Sequence, residues 1–136
     1  MSKFFIDTNV LIYANDRRDP GKQKKAVRLL SHLMKTGEGV ISTQVLQEYA
    51  NVALTKLGQK EEVVLRQLHL LEKMEVVLQS PSMICRAVEI KKMYHINFWD
   101  ACIVSNAESA RCDLIYSEDL NTGQFFSGIR IENPFA

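Results

Sequence analysis

Short apolar runs alternate along this chain with longer stretches at helical spacing. Lys3-Phe4-Phe5-Ile6 reads as a short buried strand that stops at a charged Asp7. Thr8 and Asn9 are capping-type residues ahead of Val10-Leu11-Ile12-Tyr13, which predicts a helical turn or two. Asp19-Pro20 has the form of a helix start, with Asp as the cap and Pro at the first position. Ala26, Leu29, Leu30 and Leu33 follow at helical spacing, until Gly37 and Gly39 end the run. Val40-Ile41 predicts a second strand, and Ser42-Thr43 caps a helix carrying Val45, Tyr49, Val52 and Leu57 on one face.

A further helix carries Val64, Leu68 and Leu71, and Glu75 to Leu78 fits a strand. Ser80-Pro81 opens a helix through Ile84, Ala87 and Val88, and Asn97 caps the most apolar helix, Phe98 to Ala107. Leu114-Ile115-Tyr116 and Ile129-Arg130-Ile131 complete the series as buried strands. Short apolar strands alternating with helices predict an α/β fold: a small parallel sheet of four to five strands with helices on both faces.

Composition narrows the class. A length of 136 residues fits one domain, residues 1–136, and can bury a core without cross-links. The chain is 46% hydrophobic and 24% charged, as in ordinary globular proteins. No stretch approaches the ~18 apolar residues of a membrane span. The opening lacks the apolar region and cleavage site of a signal peptide, so a cytoplasmic location is expected. Cys85, Cys102 and Cys112 show no paired spacing, and His32, His69 and His95 are widely separated. Neither a disulfide framework nor a zinc site is expected. The net charge of +1 argues neither for nor against nucleic acid: a protein coating DNA is usually more basic, whereas an enzyme holding a phosphodiester at one metal-bearing site need not be.

The candidate chemistry lies in the acids. In open α/β sheets, sites form beyond the carboxyl ends of the strands. Asp7 directly follows the first strand, and Asp119 lies just past Leu114-Ile115-Tyr116-Ser117. Each alone would pass as a turn or capping acid. Glu48 falls three residues after Val45 and four before Val52. It is either a partnered acid on the apolar face or a partly exposed one at its edge. Asp100 interrupts the apolar run Phe98 to Val104, and read alone it supports the helix cap and dipole.

Four converging carboxylates would repel unless one kept its proton or a cation lay among them. All-oxygen ligation with no nearby His or Cys selects Mg²⁺ or Mn²⁺ over Zn²⁺. Such an ion activates water and neutralises charge at phosphorus. Ser117, with Thr8 or Asn9, could hold the attacking water.

Phe5-Ile6-Asp7-Thr8-Asn9-Val10-Leu11-Ile12-Tyr13 resembles the opening motif of PIN-domain nucleases. Val45-Leu46-Gln47-Glu48-Tyr49 resembles their second motif, and Phe98-Trp99-Asp100-Ala101-Cys102-Ile103-Val104 their third. The stretch from Tyr116 to Gln124 and the ending Ile131-Glu132-Asn133-Pro134-Phe135 are similar to one bacterial branch, the VapC-like toxins. The resemblance implies a PIN-like fold and a metal-dependent endoribonuclease. It further implies a dimer restrained by a small antitoxin protein. Asp7, Glu48, Asp100 and Asp119 would be its acidic set. Its fourth motif offers both Glu118 and Asp119, and Asp119 is chosen because it stands two residues after Ser117.

The densest basic run, Arg17-Arg18-Asp19-Pro20-Gly21-Lys22-Gln23-Lys24-Lys25, is a candidate phosphate contact through Arg17, Arg18, Lys22, Lys24 and Lys25. A solvated face is the alternative. Tyr13, Tyr49 and Trp99 are candidate base-stacking groups. Core packing is the expectation for Trp99.

Other classes fit less well. An aspartyl-phosphate hydrolase needs a second carboxylate in Asp-x-Asp, where this chain has Asp7-Thr8-Asn9. A phosphate-receiver switch would need an acidic pair and a lysine after the last strand, and neither stands out here. A PIN-like module kept only for binding would not need all four acid positions filled.

Overall fold

The computed structural model describes residues 2–136. Six strands form one sheet: β1 (Phe4–Ile6), β2 (Gly39–Ser42), β3 (Glu75–Val77), β4 (Leu114–Tyr116), β5 (Phe125–Phe126) and β6 (Ile129–Glu132). Their order is β3-β2-β1-β4-β6-β5. All neighbours are parallel except β5, which pairs antiparallel with β6. The expected parallel sheet is present, with six strands rather than four to five. The extra edge strand has only two residues, too short to show a period.

Six helices cover the sheet: α1 (Thr8–Ala14), α2 (Pro20–Thr36), α3 (Thr43–Leu54), α4 (Glu61–Leu71), α5 (Pro81–Tyr94) and α6 (Phe98–Ser109). α1 packs on α2 and α3, and α3 on α4, while α5 and α6 pack on each other. This division into two groups follows from the connections. Right-handed crossovers from β1 to β2 to β3 keep one set of helices on one face, and the return to β4 carries the other set over the opposite face.

Local chemistry sets most helix ends. The Asp19 side chain accepts from Lys22 N, and Pro20 occupies the first helical position of α2. Gly37 ends that helix in the left-handed region at φ 72°, where a glycine avoids the Cβ clash. Ser42 caps α3, Ser80 caps α5 and Asn97 caps α6. Gly39 continues into β2 rather than ending a helix. There a Cβ would meet the Met74 methyl at 2.3 Å and the Leu33 Cβ at 3.1 Å, so a side chain would have to push into the core.

α1 starts differently from expectation. Asp7, not Thr8 or Asn9, is its cap, with a side-chain oxygen accepting from Thr8 N at 2.7 Å. Leu57 falls beyond the end of α3. The helix at 81–94 buries Ala87 and Ile90, whereas Ile84 and Val88 face outward.

The core is built on the central strands. Phe5, Ile6, Val40, Ile41, Ile115 and Ile131 are buried, as parallel strands covered on both faces require. α6 is buried continuously from Ala101 to Ala107. A helix enclosed that fully is held by its neighbours rather than by an amphipathic face.

Candidate active site

The strand order reverses between β1 and β4, and the residues just beyond those two strands meet there. Asp7 leaves β1 and is 5% exposed, and Ser117 leaves β4 fully buried. The Ser117 hydroxyl donates to Asp7 Oδ2 at 2.7 Å and accepts from the Asp119 backbone N–H at 3.1 Å. Ser117 therefore joins both strand ends.

Asn9 adds a second bridge. Its Nδ2 lies 3.3 Å from Asp7 Oδ2, 3.2 Å from Asp119 Oδ2 and 3.4 Å from Ser117 Oγ. Its Oδ1 accepts from the Glu118 backbone N–H at 3.2 Å. One neutral amide thus spaces two carboxylates and fixes the loop that carries the second.

Glu118 and Asp119 point to different partners. The Glu118 carboxylate accepts from Tyr13 Oη at 2.9 Å and is paired with Lys22 Nζ. Lys22 also lies 4.6 Å from the Tyr13 ring centre. Asp119 alone of the two turns to Asn9 and Asp7.

Asp100 comes from the first turn of α6, half-buried. Its backbone N–H donates to Asn97 Oδ1 at 2.9 Å, and Asn97 Nδ2 donates back to Asp100 Oδ2 at 2.7 Å. The capping role read from position is real, and it leaves the carboxylate within electrostatic reach of Asp7 and Asp119. Glu48, on α3, is also half-buried. Its Oε1 accepts from Thr8 Oγ1 at 3.0 Å and from Gln44 Nε2 at 3.3 Å. Gln44 Nε2 also donates to the Trp99 carbonyl, which ties Glu48 to the turn bearing Asp100.

Gln44 does not stand out in the sequence. It is 4% exposed, and its Oε1 is buried without a protein partner. Its place one turn before Glu48 is the one available signal, because a glutamine four residues from an acid on a helix is within hydrogen-bonding reach.

Electrostatics mark the cluster. Burial raises the Asp7 pKa from 3.8 to about 7, and repulsion from Asp119 and Asp100 adds to the rise. The bonds from Ser117 and Thr8 oppose it. Asp100 is also raised, chiefly by burial and further by Asp119. Carboxylates held this way gain from a cation. Among the described residues no three His, Cys, Asp or Glu side chains stand close enough to hold a metal ion as they are. Mg²⁺ does not require such a cluster, since it keeps several waters and takes one or two carboxylates directly. The donor set of Asp7, Glu48, Asp100 and Asp119 is all hard oxygen, and Asp7 is buried beside like charges, so the residues fit such an ion.

The basic and aromatic candidates are redistributed. Lys22 is committed to Glu118 and Tyr13, and Lys25 Nζ donates to the Phe135 carbonyl at 3.2 Å. Arg18 holds Asp16, while Arg17 and Lys24 are exposed. Trp99 is 64% exposed, against the expectation of core packing, because its place at the start of α6 lies outside the helix's enclosed stretch. Tyr49 is fully buried and cannot stack on a base.

The sheet order and the carboxylates at its switch point define an α/β protein with an acidic site of the phosphodiesterase kind. The chain belongs to the PIN domain family, whose sequence profile matches residues 4–125. No curated protein matches it. Among solved structures, VapC20 of Mycobacterium tuberculosis, a Sarcin-Ricin loop cleaving toxin, is similar at TM-score 0.72 and 20% identity over 94% of this chain and 99% of that one. A toxin–antitoxin complex from Klebsiella pneumoniae gives TM-score 0.71 and 22% identity over 98% of each chain. A DNA-bound VapBC from Salmonella typhimurium gives TM-score 0.71 and 22% identity, covering 98% of this chain and 99% of that one. At these identities the likeness is one of fold. Among the described residues no helix is long and apolar enough to cross a membrane.

Proposed function

We propose that this chain is a single PIN nuclease unit that hydrolyses RNA phosphodiester bonds with a divalent cation. The observation that carries the reading is the placing of Asp7, Asp100 and Asp119 in mutual electrostatic reach at the sheet's switch point, with Asp7 buried. Asp7, Asp100, Asp119 and Glu48 would hold Mg²⁺ or Mn²⁺. Bound there, the ion supplies Lewis acidity at phosphorus and lowers the pKa of water.

The chain's own residues do the positioning. Ser117 and the Thr8 backbone N–H orient the two Asp7 oxygens. Asn9 keeps Asp119 beside Asp7 without adding charge. Thr8 and Gln44 fix Glu48, and Asn97 fixes Asp100. Four acids anchored by neutral donors can exchange a proton for a cation with little rearrangement, which is electrostatic preorganisation.

The biological role we propose is the toxin of a toxin–antitoxin pair. Its partners would be a small antitoxin protein, a second copy of the chain and an RNA substrate, in the cytoplasm. The solved neighbours that are toxin–antitoxin complexes support this reading. Purified protein with Mn²⁺ should cut RNA, and Asp7→Asn or Asp100→Asn should abolish cutting while the protein still unfolds cooperatively. Equal activity in those variants would overturn the carboxylate mechanism. A short reading frame upstream encoding a DNA-binding partner, with growth arrest on expression, supports the toxin role. An isolated gene without arrest argues against it.

A further inference from the structure

The acid site lies at the N-terminal end of α1, and the other end of that helix opens on a cavity of opposite charge. The cavity measures about 370 Å³. The turn after α1 forms one wall, and the α3–α4 connection forms the other. Four cations line it: Arg17, Arg18, Lys56 and Lys60. The acid in its lining is Asp16, whose two oxygens are both held by the Arg18 guanidinium at 2.9 Å. Arg17, Lys56 and Lys60 form no ion pair among the described residues.

The frame that presents these cations is ordered. Gln59 Nε2 donates to the Asn15 carbonyl at 3.3 Å, and the Gln59 backbone N–H to Ala53 O at 2.9 Å. Gly58 turns the connection at φ 61°, a conformation that favours glycine. Lys60 also begins α4 without a side-chain cap, and Glu61 and Glu62 in that first turn offset the positive potential of its amides. A neutralised acid beside three unpaired cations makes this cavity an anion site.

We propose that this cavity holds backbone phosphate of the RNA strand whose scissile bond lies at the acid site. The inference rests on the ribonuclease reading. α1 has seven residues, or ~10 Å at 1.5 Å per residue. That distance is about three stacked nucleotides at ~3.4 Å each. The cavity has no aromatic lining, so it reads charge and spacing rather than base identity. Lys56 and Lys60 stand far from the basic run at 17–25 in the sequence, and the fold brings them to Arg17.

The test is binding of a labelled single-stranded RNA to the full chain in EDTA, where cutting plays no part. The combined variant Arg17→Gln, Lys56→Gln, Lys60→Gln should weaken binding at least tenfold, uniformly across sequences. The slope of log affinity against log salt should fall by ~0.7 for each phosphate that is no longer neutralised. The charge-keeping set Arg17→Lys, Lys56→Arg, Lys60→Arg should bind as the parent does. All three positions are exposed, and equal melting temperatures will confirm the fold.

Unchanged affinity and salt slope would overturn the proposal, as would a parent protein that binds no RNA. Loss of binding to an acidic protein partner alone, with RNA binding intact, would overturn it too. A parent that binds RNA through these residues yet cuts none would leave the cavity assigned and sink the ribonuclease reading instead.

Discussion

Lys22, in the first turn of α2, is ion-paired with Glu118 and holds that carboxylate away from the acid cluster. The Tyr13 hydroxyl completes the hold, and the Glu118 backbone N–H is fixed by Asn9. Two adjacent acids are thereby given different work: Glu118 anchors the loop, and Asp119 faces Asp7. Breaking the anchor should loosen Asp119 without removing a ligand. Lys22→Met or Glu118→Gln should lower kcat about threefold to tenfold and raise the metal concentration needed for half-maximal rate. Asp119→Asn should cost far more. Rescue by Lys22→Arg, with kcat near the parent's, distinguishes anchoring from a general loss of packing. Equal losses in Glu118→Gln and Asp119→Asn would contradict the division of roles.

The raised pKa of Asp7 makes a stability prediction with a definite sign. In metal-free protein the native state binds this proton below about pH 7, while the unfolded chain binds it only near 3.8. Between those values the native state holds more protons, so this group's contribution to stability is present at low pH and lost as pH rises through about 7. Asp7→Asn should therefore be more stable than the parent at pH 8 in EDTA, by up to about 4 kcal/mol. The gap should close toward pH 4. Added Mn²⁺ should stabilise the parent and not the variant, which thermal melts at three pH values will check.

Asn106 is fully buried in α6, and neither amide atom has a partner among the described residues. Burying an unsatisfied amide costs about 1–3 kcal/mol, and an apolar side chain of similar size avoids that cost. Asn106→Leu should raise the melting temperature by several degrees and leave RNA cleavage unchanged. A lower melting temperature would show that the amide is satisfied by buried water.

Trp99 stands exposed beside Asp100, in a T-shaped pair with Phe98. An aromatic face next to the proposed nuclease site is suited to base stacking, at ~1–3 kcal/mol per base. Trp99→Ala should raise KM for RNA about fivefold or more, with kcat little changed and the fold intact. Trp99→Phe should recover most of the loss. A fall in kcat with KM unchanged would place Trp99 in support of Asp100 rather than on the substrate.

The helices and strands, and the types of residue at the sheet edge, were legible in the order of residues. Ser, Asn and Asp-Pro caps act within one turn, and apolar strands buried on both faces carry no polar alternation, so both are visible locally. Asp7, Asp100, Glu48 and Asp119 could be singled out as candidates for the same reason: each stands at a strand end, a helix start or the edge of an apolar face.

The partners of those residues were not legible. Which of Glu118 and Asp119 joins the cluster depends on Lys22 and Tyr13, nearly a hundred residues away in sequence or more. Trp99 is outside and Tyr49 inside because helical spacing does not say which neighbour covers a face. Gln44 gains its place from contacts with Glu48 and the Trp99 carbonyl, on two different helices. Local pattern is set by backbone geometry over a few residues, whereas a site's pairings are set by which elements the crossovers bring together. The carboxylates could be read one by one; their partners required the fold.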